Sequence, residues 1–131
     1  MIYLSHNSED KVVVEPIALK LRDIFGEDQV FYDSWSIQSG EGIIDRVNEG
    51  LSACKVFFFF LSKKSLESYM VKLEWQSAVY AMTQGKVKFV PVRLDDYSFP
   101  SIVAQNKFID IYKNGYERAW FPILRRSQFS D

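Results

Sequence analysis

Three observations predict an α/β three-layer sandwich, with a five-stranded parallel sheet between two layers of helices. The first is the run Val56-Phe57-Phe58-Phe59-Phe60-Leu61, six consecutive apolar residues between Lys55 and Ser62. A strand with one wet face alternates with period two. This run does not, so both its faces are dry, as in the middle of a sheet covered on each side. It is too short for an ordinary helix, and phenylalanine favours strands. The second is alternation: strand-like runs at 2–4, 29–33, 55–61, 87–92 and 108–111 are separated by segments with helical apolar spacing. The third is size and composition. At 131 residues, 47% apolar and 16% aromatic, the chain reads as one domain with a real core.

Ile2-Tyr3-Leu4 is the first strand, ending in the polar loop Ser5-His6-Asn7-Ser8-Glu9-Asp10. Ser8 is placed to cap a helix whose first turn holds Glu9 and Asp10, where the helix dipole favours negative charge. Val14, Ile17, Leu21, Ile24 and Phe25 recur at helical spacing and are expected to face the sheet. Pro16 conflicts with a helix interior, so the helix either begins near Val14 or kinks. Gly26 ends it. Gln29–Asp33 is the second strand, and Ser34–Gly42 is a nine-residue loop, long for this class of fold. Ile43, Ile44, Val47 and Leu51 mark a second helix that ends near Ser52-Ala53-Cys54.

The dry strand follows, and then a helix over about 68–83 with Val71, Trp75, Ala78, Val79 and Met82 as its apolar stripe. Gln84-Gly85-Lys86 breaks it. Val87–Val92 is the fourth strand; Pro91 has no ladder donor, which places this strand toward an edge or ends it there. Phe108–Ile111 is a short fifth strand. Tyr116–Leu124 is a last helix, with Pro122 against a long regular one. The domain is expected over 1–124, with 125–131 as a frayed tail or the start of a linker to a further domain.

The driest strand is the third, which fits the flavodoxin-like order 2-1-3-4-5. In such sheets, ligands bind beyond the carboxyl ends of the strands where the winding reverses, here between strands one and three. Ser5-His6-Asn7 and the residues from Ser62 onward line that crevice. With 16 basic and 17 acidic side chains, the net charge of −1 argues against a direct nucleic-acid binder led by phosphate electrostatics. Cys54 is the only cysteine, which excludes an intrachain disulfide and zinc-type Cys spacing. No metal site is expected. No run approaches the roughly 18–20 apolar residues of a membrane span, and no signal-peptide pattern is seen, so a cytoplasmic location is expected.

The crevice residues discriminate among proteins of this architecture. A phospho-acceptor receiver needs an aspartate at the end of strand three and an acidic pair after strand one; the chain has Phe60-Leu61-Ser62 and Ser5-His6-Asn7 there. A flavodoxin needs a longer phosphate-cradling loop than Ser5-His6-Asn7-Ser8. By contrast, Ile2-Tyr3-Leu4-Ser5-His6-Asn7-Ser8-Glu9-Asp10 resembles the first signature box of Toll/interleukin-1 receptor (TIR) domains in bacterial form. Phe31-Tyr32-Asp33 with the loop Trp35–Gly42 is similar to the family's second strand and BB loop. Ser68-Tyr69-Met70-Val71-Lys72-Leu73-Glu74-Trp75 resembles its third-helix motif, and Ala119-Trp120-Phe121-Pro122 loosely resembles its last box.

The resemblance implies one of two functions. Some TIR domains cleave NAD+ between nicotinamide and ribose with one glutamate of the third helix, and Glu74 falls at that position. Others are adaptors that bind TIR domains and do no chemistry. The chemistry favours a single carboxylate: departure of nicotinamide builds positive charge on the ribose, which a carboxylate beside the sugar hydroxyls stabilises. NAD+ enters as substrate, and no cofactor is implied. From helix position alone, Glu74 reads as an ordinary residue at the margin of the apolar stripe; the resemblance is what gives it the catalytic role. Many active members carry tryptophan one turn before the glutamate, where this chain has Met70; Trp35, Tyr69 and Trp75 are the aromatic candidates in its place.

The remaining candidates for substrate contact carry paired readings. His6, the only histidine, either bonds a nucleotide or is a loop residue bonded to backbone. Asp33 either holds the BB loop through backbone amides or contacts the ligand. Trp35 stacks on adenine, packs on a neighbouring copy or anchors in the core. Ser5 and Ser62 are polar candidates. The expected partners are NAD+, other TIR domains in a homo-oligomer or filament that switches activity on, and a fused sensor domain. The expected setting is bacterial antiphage defence or signalling.

Overall fold

Every residue of Val56–Leu61 is buried, and this strand, β3, is the centre of the sheet. The computed structural model describes residues 1–32, 42–96 and 107–128, with the side chains of Ile43 and Ile44 left aside. Around β3 stand β1 (Ile2–Ser5), β2 (Val30–Phe31), β4 (Lys88–Arg93) and β5 (Ile109–Asp110), all parallel, in the order β2-β1-β3-β4-β5. Tyr3 pairs in register with Phe31 and Phe57, and Ser5 with Phe59. This is the expected topology.

The helices are α1 (Lys11–Phe25), α2 (Ile43–Ala53), α3 (Lys63–Glu67), α4 (Tyr69–Thr83) and α5 (Ile111–Ser127). Side chains on successive strand residues point to opposite faces, and the two halves of the core follow that rule. Ile2, Leu4, Phe58, Phe60, Val90 and Val92 pack with Val14, Ile17 and Leu21 of α1 and with Ala119 and Ile123 of α5. Tyr3, Phe57, Phe59, Leu61 and Phe89 pack with Val47 of α2 and with Val71, Trp75, Ala78 and Val79 of α4. The four phenylalanines of β3 thus divide evenly between two dry layers, each ring contributing about 1.5–3 kcal/mol by its burial.

Several local expectations are corrected. Asn7, not Ser8, makes the first cap: its side chain accepts from Glu9 N at 2.9 Å, and Ser8–Asp10 forms a 3-10 turn before α1. The helix begins at Lys11 and runs through Pro16. The carbonyl one turn back belongs to Val12, which is 86% exposed, so losing that donor leaves the carbonyl open to solvent rather than buried. Ile24, expected to face the sheet, is 53% exposed, and Ala18 is buried instead. The second strand starts one residue later than expected, at Val30, because Glu27–Gln29 forms a 3-10 turn; its expected last residue, Asp33, lies outside the described residues. Lys63–Glu67, to which the sequence assigned no element, is a short helix.

Pro91 and Pro122 behave differently from each other. Lys88 N and Leu94 N donate to Lys55 O and Leu61 O of the β3 side. Alternation therefore turns the donor-free nitrogen of Pro91 toward β5, which pairs only with Val92 and Arg93. Pro122 lies inside α5, which breaks instead at Gly115, where φ is 80° and ψ 165°. The helix continues to Ser127, three residues past the expected domain end. Ser127 is buried and its hydroxyl donates to Ile123 O at 2.7 Å.

Candidate functional site

Beyond the carboxyl end of β1, one carboxylate is held by two strand hydroxyls. Tyr3 and Ser5 are two residues apart on β1, so both side chains project to the α4 face. Glu74, half-buried on α4, meets them there. The Tyr3 phenol donates to Glu74 Oε2, and Ser5 Oγ donates to Oε1 at 3.0 Å. Tyr3 and Ser5 are fully buried. The Tyr3 ring is clamped between Phe31 and Phe57, with centroids 4.6 and 5.2 Å away. The carboxylate is therefore fixed in position and plane.

The other face at the same end carries different residues. Leu4 and His6 alternate away from Tyr3 and Ser5. The His6 ring is buried, with Nδ1 3.2 Å from Leu4 O, and stacks on Tyr32 at 5.0 Å. A carbonyl only accepts, so in the neutral ring Nδ1 carries the proton. This is the backbone-bonded arrangement weighed for His6. Ser62 caps α3: its hydroxyl accepts from Ser65 N at 3.1 Å and donates to Asp10 Oδ2 at 2.6 Å. Asp95 Oδ2 accepts from Lys63 N at 2.9 Å. Burial pushes the Asp10 carboxyl above its ordinary value; the Ser62 bond opposes the shift and nearby Asp95 adds to it.

The six candidates other than Glu74 thus separate. Ser5 joins Glu74. His6 and Ser62 stand at the same end of the sheet but on the α1 face. Met70, one turn before Glu74, is half-buried against the apolar cluster of Tyr3, Phe57, Phe59 and Trp75. Asp33 and Trp35 lie outside the described residues. Sequence reasoning missed Tyr3 and Asp10. Tyr3 carried a usable signal, since a tyrosine in a dry strand needs a partner for its hydroxyl and shares a face with Ser5.

Cys54, just before the amino end of β3, is not a reactive partner for Glu74. Burial pushes the Cys54 thiol up to about 12, and its Sγ donates to Val56 O at 3.3 Å. No cluster of three or more His, Cys, Asp or Glu able to hold a metal ion occurs among the described residues. No described helix is long and apolar enough to cross a membrane. A groove of about 800 Å³ lined by Leu51, Lys55, Ala78, Tyr80 and Lys86 opens at the opposite, amino-terminal end of the strands, away from Glu74.

Comparison with known proteins places the chain. A probable 2' cyclic ADP-D-ribose synthase, TcpB of Brucella abortus (strain 2308), is 25% identical over 91 residues, which is 69% of this chain. The match spans 36% of that relative's length. Among solved structures, the TIR domain of the Toll-related receptor TRR-2 of Hydra magnipapillata superposes with a TM-score of 0.77 at 12% identity, over 96% of each chain. The TIR domains of the activated Roq1 resistosome superpose with a TM-score of 0.61 at 20% identity, over 95% of this chain and 70% of that one. At those identities the two structures speak to the fold alone. The model of the family described as TIR domain matches residues 2–124, and the chain belongs to that family.

Proposed function

We propose that this TIR domain cleaves the nicotinamide–ribose bond of NAD+, by hydrolysis or cyclisation, with Glu74 as the catalytic carboxylate. The observation that carries this reading is the fixation of Glu74 by the Tyr3 and Ser5 hydroxyls beside the winding reversal of the sheet. As the C1′–N bond breaks, its electron pair neutralises the pyridinium ring and nicotinamide leaves uncharged. The ribose becomes an oxocarbenium-like cation. Glu74 accepts hydrogen bonds from the sugar hydroxyls and stabilises that charge from a position already set before the reaction. Water, or a nucleophile of the substrate itself, then adds at C1′ and gives up its proton where it carries one. The name of the Brucella relative supports a cyclic product.

Activity is switched on by self-assembly in this proposal, and the Roq1 neighbour, part of a resistosome, supports that. The domain works in the cytoplasm, in antiphage defence or signalling. Concentrated protein incubated with NAD+ releases nicotinamide, Glu74→Ala does not, and the specific rate climbs with protein concentration. A rate per molecule that stays constant across dilution would remove the assembly step and leave a self-sufficient site.

The second reading is an adaptor that binds other TIR domains without chemistry. What favours it is that both Glu74 oxygens already have internal donors, an arrangement that also suits a structural anchor. Absence of nicotinamide release from crowded, assembled protein would establish it.

A further inference from the structure

We propose that the groove between β5 and α5, lined by Lys107, Arg118, Arg125 and Arg126, binds a small anion carrying two linked phosphate groups. The groove encloses about 350 Å³, within the range of small-ligand sites. Lys107, Arg118 and Arg125 are exposed and Arg126 is half-buried. None of the four is in an ion pair among the described residues. The one carboxylate in the lining, Asp110, is already neutralised. It accepts from Arg93 Nη2 at 2.8 Å and Nε at 3.2 Å, and from Lys113 N at 3.0 Å. Asn114 adds a neutral amide.

Two cations beside the groove feel the charge of their neighbours. Burial pushes the Lys88 ammonium below its ordinary value, and Arg126 and Arg125 press the same way. Burial and then Arg125 lower Arg126 in turn. Arg126 Nη1 donates to Lys107 O at 2.7 Å, which ties the tail of α5 to the start of β5 and keeps the cations together. A bound anion relieves this repulsion.

Geometry selects the size of the guest. Arg118 and Arg125 are seven residues apart, about two turns and roughly 10 Å along one side of α5. Both line the groove, and two cations at that spacing suit an anion wider than a single phosphate, each guanidinium fork matching two phosphate oxygens. A duplex nucleic acid needs a long basic stripe, whereas this is a short concave site on a chain of net charge −1. The site is separate from Glu74: α5 packs on the opposite face of the sheet from α4, and β5 is the far edge strand. It does not depend on the proposed reaction.

Calorimetric titration of the whole chain at low salt, without NAD+, tests this. Inorganic pyrophosphate and ADP are titrated separately, with a short DNA duplex as a third arm. The expected result is saturable binding of one anion per chain that weakens as salt rises. Arg118→Gln and Arg125→Gln each weaken it about fivefold or more. Lys72→Gln, the same charge change on α4, leaves it intact. Tighter binding of ADP than of pyrophosphate identifies a nucleotide as the source of the diphosphate; equal binding identifies free pyrophosphate. Both arginines are exposed, and melting curves confirm that the variants fold; Arg125→Lys, which keeps the charge and loses the fork, weakens binding less than Arg125→Gln. The proposal is overturned if neither anion saturates, if Lys72→Gln weakens binding equally, or if the duplex binds more tightly than pyrophosphate.

Discussion

The phenol of Tyr3 donates to the carboxylate of Glu74 across 71 residues of sequence, joining the first strand to the fourth helix at the carboxyl end of the sheet. Because the ring is stacked on Phe31 and Phe57, the hydroxyl has little freedom. It acts as a positioning group for Glu74. Tyr3→Phe keeps the packing and removes one hydrogen bond to a charged acceptor, worth about 1.5–3 kcal/mol. If that energy is expressed in the transition state, nicotinamide release falls roughly tenfold to a hundredfold in kcat. Glu74→Gln keeps one acceptor oxygen but turns the other into an amide donor, so one hydroxyl loses its acceptor along with the charge, and the rate falls further, by about a hundredfold or more. A Tyr3→Phe enzyme with unchanged kcat and an unchanged melting curve would show the hydroxyl to be a passive neighbour.

Gly50 supports this arrangement from the next layer out. It lies on α2, and a Cβ there would come within 2.6 Å of the Phe31 ring. In an open helix, Gly→Ala stabilises by about 1 kcal/mol. Here the ring must move, and overpacking of this kind costs about 1–3 kcal/mol. Gly50→Ala is therefore expected to lower the melting temperature by several degrees. Since Phe31 stacks on Tyr3, the displacement reaches the phenol, and activity falls more than Tm alone accounts for. Gly50→Ser should do the same, whereas Gly85→Ala, with open space around its Cβ position but a φ of 72°, costs only backbone strain and spares activity.

Ser62 offers a cleaner separation of capping from substrate contact. It closes a reciprocal cap with Ser65 and donates to Asp10. Ser62→Ala leaves the Ser65 amide of α3 without its side-chain acceptor, and is expected to cost about 0.5–2 kcal/mol by chemical denaturation. Ser62→Asn restores most of it. If the hydroxyl serves the cap alone, KM for NAD+ stays unchanged in Ser62→Ala; a raised KM at retained stability assigns it to the substrate.

The sequence made the sheet legible and the site only partly so. Topology followed from one residue pattern: Phe57–Phe60, apolar at every position, demands cover on both faces, and helices on either side supply it. Element ends were less visible, because they depend on local hydrogen bonds. Asn7 outcompeted Ser8 as a cap, and the tertiary frame carried α1 through Pro16 at a point where Val12 is exposed to solvent. Ser5 was named from the crevice beyond strand one and Glu74 from the family's motif, but their contact was not, since pairing a strand residue with a helix residue 69 positions on requires knowing how α4 sits across β1. Tyr3 was read only as a strand former. Its hydroxyl was the clue, because apolar packing alone would have been met by phenylalanine.

Two carboxylates should tilt the pH dependence of stability in opposite directions. Burial pushes Asp110 upward, but hydrogen bonds from Arg93 and from Lys113 N outweigh it and hold the group below its ordinary 3.8. The unfolded chain therefore takes up a proton first on acidification. Asp110 contributes stability that is fully present above 3.8 and is lost as pH falls through the lower folded value. Asp10 is raised above 3.8, chiefly by burial. The folded protein takes up that proton first, so stability from this group increases as pH falls through the raised value toward 3.8. Thermal melts from neutral pH downward, compared with Asp110→Asn and Asp10→Asn, resolve the two. The advantage of wild type over Asp110→Asn is greatest near neutrality and closes in acid. Relative to Asp10→Asn, wild type gains on acidification. Asparagine preserves the acceptor that caps α5 at position 110, so a gap that persists unchanged into acid would trace to packing, and the Arg93 ion pair would carry none of it.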